Sequence, residues 1–346
     1  MLKIMEIIGL IILRLLSTVI ALVVLAGLLY RRWRNGKDYF AVKPRPTPPS
    51  LISDEKWGTH KYMHLKKQGI RLHYVEKGNS NNPLILCLHG FPECWFSWRH
   101  QLENLSDKYW VVAVDMRGYA DSDKPSAKSA YDITLLVEDI KEFILALGKS
   151  DQDKCVVMAH DWGGAIAWQL VMKYPELFHS HISCNGPHPV AFMKVMRKSW
   201  KQALMSWYMV FFQTPYIPEL SISVNDLEMF NKSFRGEHNK EAFPDDVMEV
   251  YKYYFSQKGA LTPPINYYRN IDFGRGTENI PVVTVPTLII WGSKDAYLSK
   301  EMAILAGAEC ETSVVKYIDS ATHWVQQDEP QQVNRFIREY LASKSL

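Results

Sequence analysis

The run Ala159-His160-Asp161-Trp162-Gly163-Gly164 holds a carboxylate where a strand gives way to a helix. The apolar stretch Cys155 to Ala159 has strand character, and helix spacing follows from Ala165 to Met172. Small residues at 159, 163 and 164 suit a sharp turn that lifts the central side chain above a sheet. Many hydrolases carry serine at that apex, in Gly-x-Ser-x-Gly. This sequence contains no such motif, and its apex is Asp161. A carboxylate, with a reference pKa of about 3.9, is already ionised at neutral pH and needs no base to attack. Attack on a carbon bearing a strained or good leaving group gives an alkyl ester of the enzyme. Attack on an amide or ester would give an anhydride, which gains little. The chemistry indicated is the opening of an epoxide or the displacement of an alkyl halide. A plainer role for Asp161 alone is to cap the helix that follows.

Hydrolysis of an alkyl ester needs a base, and His323 in Ala321-Thr322-His323-Trp324 is the candidate. Asp295, in Trp291-Gly292-Ser293-Lys294-Asp295, is the carboxylate that would orient it. Both follow apolar strand-like runs, Ser313 to Ile318 and Thr287 to Trp291. The chain order nucleophile, acid, histidine is that of the α/β-hydrolases. The tetrahedral intermediate needs backbone donors for its oxyanion. One is the N–H after the nucleophile, on Trp162. The other is expected from His89-Gly90-Phe91-Pro92, as the N–H of Phe91, with Gly90 allowing close approach and Pro92 fixing the turn.

These residues must be held by strands that alternate with helices. Ile70 to Glu76 reads as a hairpin strand after the turn at Gln68-Gly69. Leu84 to Leu88 and Trp110 to Val114 read as buried strands. Ile133 to Leu147 and Gln331 to Leu341 have helix spacing. The pattern predicts an α/β fold with a mostly parallel sheet and its chemistry at the carboxyl ends of the strands. From Pro187 to about Pro281 the alternation stops. That stretch is rich in Met, Trp, Tyr and Phe and reads as an inserted helical lid.

The first part of the chain is different. Ile7 to Tyr30 is almost wholly apolar, long enough to cross a hydrocarbon core of about 30 Å as a helix. Arg31-Arg32-Trp33-Arg34 supplies a basic and aromatic flank, and arginines at that point do not suit the small-residue cleavage site of a signal peptide. The expected organisation is an anchor at 1–34, a linker at 35–50 and one domain at 51–346. Pro44, Pro46, Pro48 and Pro49 make the linker stiff and extended. Lys3 and Glu6 on one side, against Arg31, Arg32, Arg34 and Lys37 on the other, place the domain in the cytosol by the positive-inside bias. Two Asn-x-Ser sequons, at Asn104 and Asn231, point the other way. The net charge of +3 in 346 residues gives no reason to expect nucleic acid. The five cysteines form no Cys-x-x-Cys pair, and Cys87, Cys155 and Cys184 are expected as packed core thiols.

Taken together, His89-Gly90-Phe91-Pro92-Glu93, Trp98-Arg99, Asp115 with Arg117-Gly118-Tyr119, His160-Asp161-Trp162-Gly163-Gly164 and His323-Trp324 resemble the epoxide hydrolases of the α/β-hydrolase fold. The likeness runs from about residue 60 to the end, and the single amino-terminal anchor resembles the membrane-anchored branch. Haloalkane dehalogenases share several of the motifs. The resemblance implies two lid tyrosines that hydrogen-bond and protonate the epoxide oxygen. Tyr268 matches the tyrosine-arginine-asparagine signature in Tyr268-Arg269-Asn270. Tyr208, shortly before Phe211-Phe212-Gln213-Thr214-Pro215, matches the other. A phenol stays neutral at pH 7 and is a suitable acid for that step. Ala159 stands where the family often has Gly. The reading that follows is hydrolysis of a lipophilic epoxide, such as that of an unsaturated fatty acid, to a vicinal diol, by a single-pass protein of the endoplasmic reticulum. No metal, organic cofactor or protein partner is implied. Two alternatives stay open at this point: a dehalogenase using the same Asp161, and a receptor that binds a hydrophobic ligand without turnover.

Overall fold

A computed structural model of the chain describes residues 2–236, 240–272 and 279–346, with the side chains of 2–7 and 10 outside the description. The lid positions 237–239 and 273–278, and the Lys3 and Glu6 side chains used above for orientation, therefore lie outside the described residues.

Eight strands form one sheet: β1 (Thr59–Leu65), β2 (Ile70–Lys77), β3 (Leu84–Leu88), β4 (Trp110–Val114), β5 (Cys155–His160), β6 (Phe178–Cys184), β7 (Thr287–Gly292) and β8 (Ser313–Ile318). Their order is β1-β2-β4-β3-β5-β6-β7-β8. β2 pairs antiparallel with both β1 and β4, and every other pairing is parallel. The central strands β3, β4, β5 and β7 are buried along their whole length, which is why they read as continuous apolar runs. β1 and β6 have no counterpart among the strands expected from sequence. β1 is an edge strand exposed over most of its length, so no buried face imposes an apolar alternation on it. β6, Phe-His-Ser-His-Ile-Ser-Cys, is buried but carries polar side chains. The rings of His181 and His188 stand edge-on to Trp168 in this region.

The helices are α1 (Leu2–Asn35), α2 (Arg99–Leu105), α3 (Ile133–Ala146), α4 (Asp161–Lys173), α5 (Pro189–Lys198), α6 (Trp200–Met205), α7 (Trp207–Phe211), α8 (Ile217–Phe230), α9 (Asp245–Ser256), α10 (Thr262–Arg269), α11 (Glu301–Gly307), α12 (Val325–Asp328) and α13 (Pro330–Ser343). Helices α5 to α10 fall between β6 and β7 in the chain and cover the carboxyl ends of the strands. Cys87, Cys94, Cys155 and Cys184 are free and buried, while Cys310 is half-buried.

Helix α1 is not detached from the rest. It packs against α7 and α8. Ser17, Ala21 and Leu28 are buried on it, and Leu13, Ile20 and Val24 are half-buried. These residues recur at three- and four-residue steps and so form one stripe, and the small Ser17 and Ala21 permit close approach. The segment after α1, expected as a spacer, is extended but bound to the lid. The Arg45 guanidinium reaches both carboxylate oxygens of Asp226 at 2.8 Å and Glu249 at 2.8 Å. The Lys43 N–H donates to Asp226 and the Asp226 N–H to the Ala41 carbonyl. Asp226 sits at φ 57° between Asn225 at 49° and Leu227 at 61°. Left-handed backbone at three successive non-glycine residues is costly, and the Arg45 contacts offset it.

The side chain of Arg45 is only 9% exposed, so this pair is more than a surface ion pair. Arg45→Ala is expected to lower stability by about 1–2 kcal/mol, read as a lower urea midpoint of the full chain in detergent.

Candidate active site

Asp161 is the first residue of α4, directly after β5, and its φ is 49°. The left-handed turn is possible because its neighbours are small. A Cβ on Gly90 would overlap the Asp161 carboxylate, one on Gly163 would strike the Leu88 carbonyl, and one on Gly164 would strike Gly186. Oδ1 of Asp161 accepts the Phe91 N–H at 2.8 Å. The Phe91–Pro92 bond is cis. Trp162 is the second residue of α4, so its N–H lies in the first turn, where no intrahelical acceptor is available. The Asp161 side chain is 13% exposed.

The two other predicted members of the constellation meet Asp161 from distant loops. His323 Nε2 is 3.5 Å from Asp161 Oδ2, and its Nδ1 is 2.7 Å from Asp295 Oδ2. Asp295 Oδ1 accepts the N–H groups of Tyr297 and Leu298 at 2.7 and 2.9 Å. With Nδ1–H donated to Asp295, Nε2 faces Asp161, an arrangement that suits a general base.

Burial pushes Asp161 up, but the hydrogen bond and charge of His323, with His160 and the Phe91 N–H, outweigh it and hold the carboxyl below its ordinary value. Burial pushes His323 down. Asp295 and Asp161 together outweigh that and raise it to about 10. In the resting site a cation thus lies between two carboxylates.

Tyr208 and Tyr268 line the same cavity of about 320 Å³ as Asp161, His323 and Phe91. Burial, and next the charge of Asp161, push both phenols well above their ordinary value, so both stay neutral donors. Their rings are 5.7 Å apart, centroid to centroid. The motifs around them hold them together. Arg269 donates to the Phe212 and Thr214 carbonyls and pairs with Glu219, and Gln213 Nε2 donates to the Tyr268 carbonyl. The neighbouring Tyr267 hydroxyl donates to the Arg117 carbonyl at 2.7 Å, and Arg117 is itself paired with Asp139. The Trp162 ring stands edge-on to Tyr268 at 5.0 Å.

Several supports have no role assigned from sequence. Asn185 donates from Nδ2 to Asp295 Oδ2 at 2.6 Å and accepts the Gly292 N–H with Oδ1. It follows β6, a strand without a clear sequence signal, and its φ of 40° suits Asn. Glu93 and His160 stand in the quoted motifs, and the structure shows what they touch. His160 Nδ1 is 2.7 Å from Glu93 Oε2, and its Nε2 is 2.8 Å from the His323 carbonyl. Glu93 also accepts the Gly90 N–H and the amides of Gln326 and Gln327. This buried network joins the Phe91 loop to the backbone of the histidine. Tyr297 bears edge-on on His323 and bonds the Ser233 hydroxyl. Asp115 holds the Phe91 loop from its far end by accepting the Trp95 N–H at 2.8 Å. Among the described residues no group of three or more His, Cys, Asp or Glu is placed to hold a metal ion.

The sequence profile of the α/β hydrolase fold matches residues 83–330. Epoxide hydrolase 1 of Caenorhabditis elegans is 44% identical over 89% of this chain and 75% of its own length. Epoxide hydrolase 4 of Homo sapiens is 40% identical over 90% and 88%. Among solved structures, the Bacillus megaterium epoxide hydrolase in complex with an inhibitor superposes with a TM-score of 0.73 at 31% identity, covering 82% of this chain and 100% of that one. An epoxide hydrolase from Vigna radiata gives 0.71 at 28% identity, covering 84% of this chain and 99% of that one.

The His323 wiring has a direct consequence for pH. Its folded pKa is raised above the ordinary 6.5 to about 10. The stability it contributes is therefore fully present below pH ~6.5 and lost as pH rises through ~10. Asp161→Asn removes one of its two carboxylate partners and is expected to lower the His323 pKa, measured by NMR titration of the imidazole nitrogens.

Proposed function

The chain belongs to the epoxide hydrolases of the α/β-hydrolase fold, and from that premise we propose that it converts lipophilic epoxides to vicinal diols through a covalent ester on Asp161. The observation that carries this reading is the seating of the carboxylate: Oδ1 is bound by the Phe91 N–H while Oδ2 faces His323. Oδ2 attacks a ring carbon, the carbon–oxygen bond of the epoxide breaks, and Tyr208 or Tyr268 gives its proton to the departing alkoxide. Oδ1 is then the carbonyl oxygen of the ester, already in the donor site of Phe91 and Trp162. The His323 imidazolium, no longer supported by a charged Asp161, gives up its proton, which restores the neutral tyrosine. As the free base, His323 takes a proton from water while the water attacks the carbonyl carbon. Collapse passes that proton to the leaving diol oxygen. The Asp161 carboxylic acid left behind protonates His323 and returns the site to its resting charge.

The two buried neutral phenols favour an epoxide over an alkyl halide, because a departing halide needs no proton. They also favour turnover over a receptor role, since passive binding needs no acid beside a nucleophile. A fatty-acid epoxide suits the cavity. Phe211, Phe212, Ile222 and Met229 make apolar walls, and Lys232 on its lining supplies a cation for a carboxylate end. Attachment to a membrane rests on α1, whose stretch from Ile11 to Asn35 is long and apolar enough to cross a bilayer. The basic flank at Arg31, Arg32 and Arg34 favours the cytosolic side, and the endoplasmic reticulum is the membrane proposed.

In a single turnover with a fatty-acid epoxide, His323→Gln is expected to trap an adduct on the Asp161 peptide, found by mass spectrometry, where the unaltered chain releases diol. Absence of both adduct and diol across several epoxides would overturn the reading. Tyr268→Phe is expected to slow adduct formation by roughly 10²-fold, with hydrolysis of the ester once formed changed far less, as rapid-quench kinetics would separate.

A further inference from the structure

Beyond α1, the two most exposed aromatic side chains among the described residues, Tyr216 and Trp200, lie on the lid. Trp200 is 78% exposed, Leu204 62%, Trp207 47% and Tyr216 83%. Trp200 and Leu204 lie four residues apart on α6 and so share one side of it, and Trp207 opens α7 just after the turn at Ser206. The exposed Arg197, Lys198 and Lys201 border them. Trp207 is also a wall of the catalytic cavity, so the patch reaches the cavity at that residue.

Helix α1 extends the same surface. It packs on α7, which carries Trp207, and on α8. Its buried stripe runs from Leu13 to Leu28, roughly 22 Å at 1.5 Å per residue. The opposite face shows Ile11, Leu15, Val19 and Val23 at 53–68% exposure. An apolar surface that joins a long apolar helix to a tryptophan-rich lid with a basic border has the composition of a bilayer interface. Left in water it would be an unusually large exposed patch.

We propose that the lid surface of Trp200, Leu204, Trp207 and Tyr216 seats in the lipid leaflet that holds α1, so that the catalytic cavity opens toward lipid and its substrate enters from there. The basic border and exposed indoles commit the occupant to a phospholipid surface with anionic headgroups. The proposal rests on the reading of α1 as a membrane anchor, and goes beyond it by placing the lid and the cavity entrance in contact with lipid.

The test uses the full chain in vesicles of phosphatidylcholine and phosphatidylserine. A nitrobenzoxadiazole label is placed at Leu204→Cys or, away from the lid in the turn before β3, at Asn81→Cys, both with Cys310→Ser. The label at 204 is expected to shift to the blue and to be quenched by lipids brominated on their acyl chains, while the label at 81 stays in water. A chain that floats with the vesicles but is unquenched at 204 overturns the lipid-seated lid and leaves the anchor standing. A chain that does not float overturns the anchor, and this proposal with it. A concentration-dependent blue shift at 204 without vesicles assigns the patch to a second copy of the chain and also overturns it. In kinetics, the double variant Trp200→Glu/Leu204→Glu is expected to raise the KM for a vesicle-borne long-chain epoxide by roughly tenfold. Its kcat/KM for a water-soluble epoxide such as styrene oxide should be unchanged. Equal losses on both substrates, or none on either, would count against lipid entry.

Discussion

The hydrogen bond from the Phe91 N–H to Asp161 Oδ1 is the contact around which the rest is arranged. It requires Asp161 at a left-handed φ of 49°, a conformation that costs on the order of 1–3 kcal/mol when a non-glycine residue is held there. It also requires two loops to approach within side-chain contact. Glycines at 90, 163, 164 and 186 make that approach possible, since each lies where an added Cβ would collide with a neighbour. The parallel strands β3 and β5, paired from Ile85 with Val156 to Leu88 with Ala159, end side by side and deliver the two loops to one place. The strain at the turn is thus held by a sheet buried on both faces.

Charge then divides the work between two carboxylates of the same chemical type. Asp295 accepts from Asn185, from two backbone N–H groups and from His323, so its lone pairs are committed to holding the imidazole. Asp161 accepts one backbone donor and leaves its second oxygen facing the cavity and the imidazole. Environment thus commits one acid to the imidazole and leaves the other with an oxygen open to the cavity. The Glu93–His160 pair binds the Gly90 N–H at one end and the His323 carbonyl at the other, which ties the Phe91 loop to the backbone of His323. In a buried setting such a network is rigid because each member is satisfied by the next.

The lid is held from two directions. From inside, Arg269 and Gln213 tie the segments of the two tyrosines to one another. From outside, Arg45 fastens the proline-rich segment to Asp226 and Glu249, and α1 lies along α7 and α8. What reads in one dimension as three separate segments is in three dimensions a packing of α1 and the proline-rich segment onto the lid.

Read along the chain alone, the elements with local signals are already specified. Strands β3, β4 and β8 fall at the residues their apolar runs mark. The elbow is legible because turn chemistry is written in a few adjacent residues, the order of Asp161, Asp295 and His323 because each follows a strand-like run, and the two tyrosines only through the resemblance of the motifs around them to the family's. β1 and β6 are not legible, since an edge strand exposed on its long side and a buried strand rich in His and Ser lack the expected alternation. Asn185, Tyr297 and the bonds of Glu93 and His160 emerge only from the tertiary structure, because the side-chain pairs Tyr297–Ser233, Glu93–His160, Asn185–Asp295 and Glu93–Gln327 join residues from 64 to 234 positions apart in the chain. The same holds for Arg45, whose partners are 181 and 204 residues distant. Local pattern reports which face a residue presents; which atom that face meets depends on how separate segments pack together, and no spacing along the chain encodes it.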